Sequence, residues 1–234
     1  MFSLSPVSKN NVFRKRRVER LNAMIADHVA RKGHCRLLDM GGTRSFWQVW
    51  RDEIDFSNLQ VTCVNLALDQ GEGADDGLPV EDRIGNACAM PEYDDNSFDV
   101  IFSNSVIEHV GLWPNKVAFA REARRLAPSF LIQTPNFWFP IEPHARFPML
   151  HWLPRPVAYR IHMMMRTGFY PKASTLDEAM TSAEDAATSG VASGPAFAPA
   201  ASANSCRTSS VVASSTGVLP ALLRALTLPF FLSR

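Results

Sequence analysis

A doubly wound α/β domain with a mostly parallel sheet is predicted by three stretches that follow one another between Cys35 and Val110. The first, CRLLDMGGTRS, reads as a buried strand that runs into a glycine pair. The second, VTCVNL, is a short apolar run lying one crossover further on. The third, GNACAMPEYDDNSFDVIFSNSVIEHV, is a turn-rich loop that leads into another apolar run. Apolar runs separated by helix-length spacers argue for parallel strands, because parallel neighbours need a crossover of about a dozen residues or more. A chain of 234 residues with 46% hydrophobic content can bury one full core of this kind.

Residues 1–34 read as a basic amphipathic helix. Val18, Leu21, Ile25 and Val29 recur at helical spacing, and Gly33 supplies the stop. Lys9, Arg14, Lys15, Arg16 and Arg17 interrupt any apolar run before a signal peptide can form, so a cytoplasmic location is expected. The Arg14–Arg17 cluster is expected to be solvated, with phosphate or an anionic membrane as the other reading. The 24 basic and 23 acidic side chains predict no global attraction to nucleic acid. Four cysteines, at 35, 63, 88 and 206, show no metal-type spacing and read as reduced packing residues.

Cys35 to Asp39 forms the first expected strand, with Gly41-Gly42 in the turn and a helix from near Phe46. Glycine lets backbone approach a ligand closely, and the following helix presents unpaired N–H groups. Asp39 stands where it can meet a cationic amino group. Thr43, Arg44 and Ser45 break the pattern G-x-G-x-x-G, which disfavours a nicotinamide or flavin dehydrogenase. The second strand, Val61 to Val64, ends at Asn65, on the side of the sheet where ligand crevices lie. Asn65 offers one amide carbonyl where a carboxylate is usual, with Asp69 as a substitute, or it simply caps a turn.

In the third stretch Asn86-Ala87, Met90-Pro91, Asp94 to Ser97 and the strand Phe98 to Phe102 succeed one another without gaps. This string resembles the block G-D-A-x-x-L-P-F-x-D-x-S-F-D-x-V of the type 11 class I S-adenosylmethionine-dependent methyltransferases. The stretch Ser103 to Val110 is similar to the exit of their fourth strand. The resemblance covers about residues 12 to 145 and implies a Rossmann-like sheet and S-adenosylmethionine as cofactor. It implies that Gly41 and Gly42 line the methionine moiety, Asn65 the ribose, Asn86 and Ala87 the adenine, and the Ser103-Asn104 backbone the amino acid end. Asn65 and Asn86 both stand where the family commonly has acids, so weaker or differently shaped cofactor binding is expected.

A further helix is expected from Pro114 to Ala127, with Phe119, Ala123 and Leu126 on one stripe, leading to a fifth strand, Phe130 to Gln133. From Asn136 to Tyr159 the chain holds six aromatics and five prolines and is not expected to be helical. Residues 135–160 read as a substrate wall at the carboxyl end of the sheet, or as a cover over its edge. Ile161 to Met165 are expected to pack in a helix.

Methyl transfer from a sulfonium depends chiefly on positioning, yet an oxygen nucleophile also wants a base. His109 and His144 are the candidates, with Glu108 or Glu142 to orient them, and each histidine also has a purely structural reading. Some relatives hold a divalent ion with Glu-x-x-Glu-His. Ser105 occupies the first glutamate's position here, so no metal is expected.

The domain is expected to span residues 35–182. From Ala186 to Gly217 the only charge is Arg207, and residues 183–234 read as a low-complexity tail, either frame-shifted or naturally disordered. The family's closing antiparallel hairpin is expected to be missing, and the Gly217–Arg234 segment is too short to span a membrane stably. The primary expectation is an S-adenosylmethionine-dependent methyltransferase acting on an oxygen or nitrogen of a small-molecule or glycan acceptor. A catalytically silent or truncated cofactor-binding protein is the second reading, and a nucleic-acid-modifying protein the third.

Overall fold

The computed structural model describes residues 12–67, 76–135, 140–141 and 144–187. Its element order is α1 (Val12–Lys32), β1 (Cys35–Met40), α2 (Arg44–Val49), β2 (Leu59–Asn65), β3 (Val80–Ile84), β4 (Val100–Asn104), α3 (Trp113–Leu126), β5 (Ser129–Gln133), α4 (Arg155–Met164) and α5 (Leu176–Ala187). The strands form one sheet in the order β3-β2-β1-β4-β5, and every pairing is parallel. β1 is therefore the central strand, and the order reverses at the β1/β4 boundary, where open α/β sheets place a ligand crevice.

Alternation along β1 divides the core. Leu37 joins Val18, Leu21, Ile25, Trp47 and Phe102 on the face covered by α1 and α2. Leu38 and Met40 join Ile101, Phe119, Ala123 and Leu126 on the face covered by α3. This two-residue period is what a strand buried on both faces requires. A third cluster, Ala145, Leu150, Ala158 and Ala183, packs α4 against α5.

Several motif residues serve the sheet and not a ligand. Asp99 accepts a hydrogen bond from the Arg36 amide at 2.8 Å and an ion pair from Lys32, which fixes the start of β1 against that of β4. Arg125 donates to the carbonyls of Tyr93 and Met90 at 2.7 and 2.9 Å and pairs with Glu122, which pins the loop ahead of β4 to α3.

One strand was not foreseen, and three expectations need correction or trimming. β3 was not legible, because Glu81, Asp82 and Arg83 give it the composition of a loop. It is a sheet edge, with Ile84 exposed. Arg155 to Tyr159 is helical, since Pro156 sits in the first turn of α4, where its missing N–H costs nothing. Ile161 to Met164 lie in α4, as expected, but only His162 of the run is buried, and Met163, Met164 and Met165 are exposed. The boundary expected at residue 183 falls inside α5, whose Ala183 and Ala186 are buried. The closing hairpin and the low-complexity tail concern residues outside those described, as do Asp69, Glu142 and Cys206. Among the described residues no helix is long and apolar enough to cross a membrane.

Candidate functional site

The site lies at the carboxyl ends of β1, β2 and β4. Gly41 sits at φ +78°, its amide bonded to the Val64 carbonyl at 2.7 Å, and an added Cβ would come within 2.3 Å of Val106. Only glycine enters that turn without strain. At Gly42 an added Cβ would fall 1.9 Å from an Asp39 carboxylate oxygen, so the backbone runs directly beside that side chain. Gly42→Ala is thus expected to displace Asp39 and weaken S-adenosylhomocysteine binding at least about tenfold, read by calorimetry. Unchanged affinity would remove Asp39 and Gly42 from the cofactor site.

Asp39 is buried. Its Oδ2 accepts a 3.0 Å bond from the Trp47 indole, and its Oδ1 has no partner. Burial pushes its carboxyl up to about 7, against the opposing pull of the indole N–H. An orphaned buried carboxylate oxygen beside a glycine turn fits the ammonium of an amino acid moiety, which would supply both donor and charge.

The two asparagines are differently engaged. Asn65 Oδ1 accepts from the Leu66 amide at 2.8 Å, and Asn86 Oδ1 accepts from the Cys88 amide at 3.0 Å. Both carbonyl oxygens therefore cap local turns, the structural role open to each. Ala87 is half-buried against the α3-side core. Ser103 is fully buried and donates to the Met40 carbonyl at 2.8 Å, which holds β4 beside β1. Asn104, at the tip of β4, accepts from Arg17.

Arg17 is one of two site residues that sequence reasoning missed, Asp185 being the other. Arg17 does not join a wholly solvated cluster. Its half-buried guanidinium reaches the end of β4, and desolvation, with Arg14 adding repulsion and Glu108 opposing it, lowers its pKa to about 10. The signal was available, because Arg17 lies one turn before buried Leu21 on the packed stripe of α1.

After β4 the chain makes a short 3-10 turn, Ile107–His109, that directs Glu108 inward and leaves His109 exposed. The His109 and His144 rings meet edge to face with centroids 4.9 Å apart. Glu108 is 0% exposed and neither of its oxygens bonds to another residue; burial pushes its carboxyl up, with its own backbone N–H, His109 and His144 opposing. α5 closes this corner. His109 Nδ1 lies 3.4 Å from Asp185 Oδ2, and buried Lys116 donates to the Glu184 carbonyl at 3.0 Å. The structure thus brings together Glu108, His109 and His144, joins Asp185 to them, and places Asp39, Gly41 and Gly42 in the neighbouring turn.

The family model described as a methyltransferase domain matches residues 38–129. No curated protein matches the chain. Similar solved structures include the PH0226 protein from Pyrococcus horikoshii OT3, at 21% identity and TM-score 0.40, covering 54% of this chain and 57% of that one. Another is an arsenic(III) S-adenosylmethionine methyltransferase from Chlamydomonas reinhardtii, at 27% identity and TM-score 0.33, covering 41% and 36%. A third is the phosphoethanolamine N-methyltransferase 2 of Haemonchus contortus in complex with S-adenosyl-L-methionine, at 27% identity and TM-score 0.34, covering 49% and 28%. The chain spans between 28% and 57% of the length of these proteins.

Proposed function

We propose, from a chain that carries a class I S-adenosylmethionine-dependent methyltransferase domain, that this protein transfers the sulfonium methyl group to an oxygen or nitrogen of a small-molecule or glycan acceptor. The observation that most supports this reading is the pairing, across the β1/β4 switch point, of the Asp39–glycine turn with the Glu108–His109–His144 corner. The first meets the needs of the donor and the second those of an acceptor that must lose a proton.

When bound, S-adenosylmethionine supplies a methyl carbon already activated as a sulfonium, so the step is an in-line displacement dominated by positioning. Asp39 would hold the donor's ammonium through its open Oδ1, and the Gly41-Gly42 backbone would line the amino acid end. Arg17 and Asn104 sit at the tip of β4, where the donor's carboxylate is expected, and Arg17 offers it a charge-assisted hydrogen bond. His109, oriented by Asp185, takes up the proton released from the acceptor, with His144 beside it. Phe147 and Tyr159, half-buried in the cluster against α5, form part of the wall on the acceptor side.

Calorimetric titration with S-adenosylhomocysteine tests the donor half. Saturable one-to-one binding by the folded protein is the expected result, accompanied by formation of S-adenosylhomocysteine when S-adenosylmethionine is mixed with hydroxyl- and amine-bearing acceptors. Absence of binding by well-folded protein would sink the reading. Binding without turnover across a broad acceptor panel would favour the catalytically silent one.

A further inference from the structure

We infer that Glu108, His109 and His144 form a binding site for a divalent transition-metal cation of the Zn2+ class, with Asp185 holding His109 in the coordinating orientation. The inference rests on the methyltransferase reading only for its consequence, the identity of the acceptor atom.

Four observations carry it. One ligand atom from each of the three residues lies within 4.8 Å of the others. Atoms sharing an ion at about 2.0–2.2 Å stand roughly 3–4 Å apart, so side-chain rotations of under about 1 Å close the site. Second, Glu108 is wholly buried, yet its carboxylate oxygens bond to no other residue. A buried carboxylate needs pairing or coordination. The nearby cations do not provide a bond: Arg17 is spent on Asn104 and Lys116 on the Glu184 carbonyl, so each acts on Glu108 only through space. Third, Asp185 Oδ2 at 3.4 Å from His109 Nδ1 leaves Nε2 to face an ion, the carboxylate–imidazole arrangement that fixes the tautomer of metal-bound histidines. Asp185 Oδ1 is itself without a partner. Fourth, the His109 and His144 rings, brought from chain segments 35 positions apart, meet at 4.9 Å.

Two imidazoles and one carboxylate make a borderline donor set. It suits Zn2+, Co2+ or Fe2+ better than Mg2+ or Ca2+, which prefer oxygen alone, and better than Cu+, which prefers thiolate. Three protein ligands leave an open position, as in catalytic sites of this kind. Beside a methyl donor that position suits a hydroxyl group. The cation-bound oxygen releases its proton to solvent, its lone pair forms the new C–O bond, and the C–S bonding pair returns to sulfur as S-adenosylhomocysteine leaves. With the ion bound, His109 coordinates it and no longer acts as the free base, the ion taking over that role, and the acceptor is an alcohol or phenol.

The test titrates chelator-treated protein with Zn2+ by calorimetry and with Co2+ by visible absorption, with and without saturating S-adenosylhomocysteine. One ion per chain is expected, with an intense Co2+ band of low coordination number. Glu108→Gln and His144→Ala are each expected to weaken uptake at least about tenfold while the far-ultraviolet circular dichroism of both variants stays parental. Glu108→Gln preserves volume and removes an uncompensated buried charge, so it folds. Failure of the folded parent to take up either ion saturably overturns the proposal, as does uptake unchanged in both variants. A parent that binds Zn2+ at this site but not S-adenosylhomocysteine would sink the methyltransferase reading and leave the metal site standing.

Discussion

Asp39→Asn should make the protein more stable and a worse methyl-donor binder at the same time. The Asp39 carboxyl is raised from its ordinary 3.8 to about 7 by burial, so above neutral pH the fold carries a desolvated charge. Because the folded-state pKa is raised, the favourable contribution is complete below the unfolded value and is lost as pH rises towards 7. A displacement of that size corresponds to about 4 kcal/mol at pH 8, an upper value for what the asparagine recovers. The asparagine carbonyl can still accept from the Trp47 indole. Chemical denaturation of parent and variant should therefore coincide near pH 4 and diverge progressively up to pH 7–8.

Donor affinity should move the opposite way. Binding an ammonium requires the ionised carboxylate, so parent affinity for S-adenosylhomocysteine should rise between about pH 6 and 8. The variant should bind about 10- to 100-fold more weakly and show no such rise, in keeping with loss of a charged hydrogen bond. A variant less stable than the parent at pH 8 would mean that Asp39 is already compensated in the free protein. A variant with parental affinity would place the ammonium elsewhere.

Arg44→Ala should be among the most destabilising single substitutions. The guanidinium lies in the first turn of α2 and is nearly buried. It donates to both Asp76 oxygens at 2.6 and 3.1 Å, to Asp82 at 3.1 Å and to the Val80 carbonyl at 2.6 Å. This fork ties the helix after the glycine turn to the start of β3. Removing it strands two half-buried carboxylates, a loss of about 3–5 kcal/mol, or roughly 6–20 °C in melting temperature for a chain of this size. Arg44 holds the Asp76 carboxyl well below the usual range. Its contribution is therefore present above the unfolded carboxylate pKa, near 3.8, and is lost as pH falls below it, so the deficit should shrink in acid. A deficit under about 1 kcal/mol at pH 7 would show that the fork is dispensable.

Much of this architecture is legible in the sequence because it depends on local periodicity. The buried strands at Cys35, Val61 and Phe98 and the stripes Val18–Leu21–Ile25 and Phe119–Ala123–Leu126 are all apolar patterns that packing then obeys. β3 escaped because an edge strand with one buried residue, Val80, carries almost no pattern. The glycine turn with Asp39 and the pair Glu108-His109 are likewise legible, since each is contiguous. Asp185 was not, because its place at the site comes from α5 docking from far along the chain, and for Arg17 the place on the α1 stripe could be read but the contact with Asn104 could not. Nor does any pattern announce that Asn65 and Asn86 spend their carbonyls on their own backbones.

The placement of β1 also sets a timetable. Leu37 pairs with Val61 on one side and with Val100 on the other, so the middle of the sheet is translated before its second partner and waits for it. At synthesis rates of about 5–20 residues per second, the 63 positions separating Leu37 from Val100 correspond to roughly 3–13 s. During that interval one edge of β1, with its Val-Leu-rich neighbours, is open to any other strand the ribosome environment offers. Slowing translation between codons 40 and 100 should lower the soluble yield, and a holdase chaperone should act on this protein chiefly before residue 104 emerges.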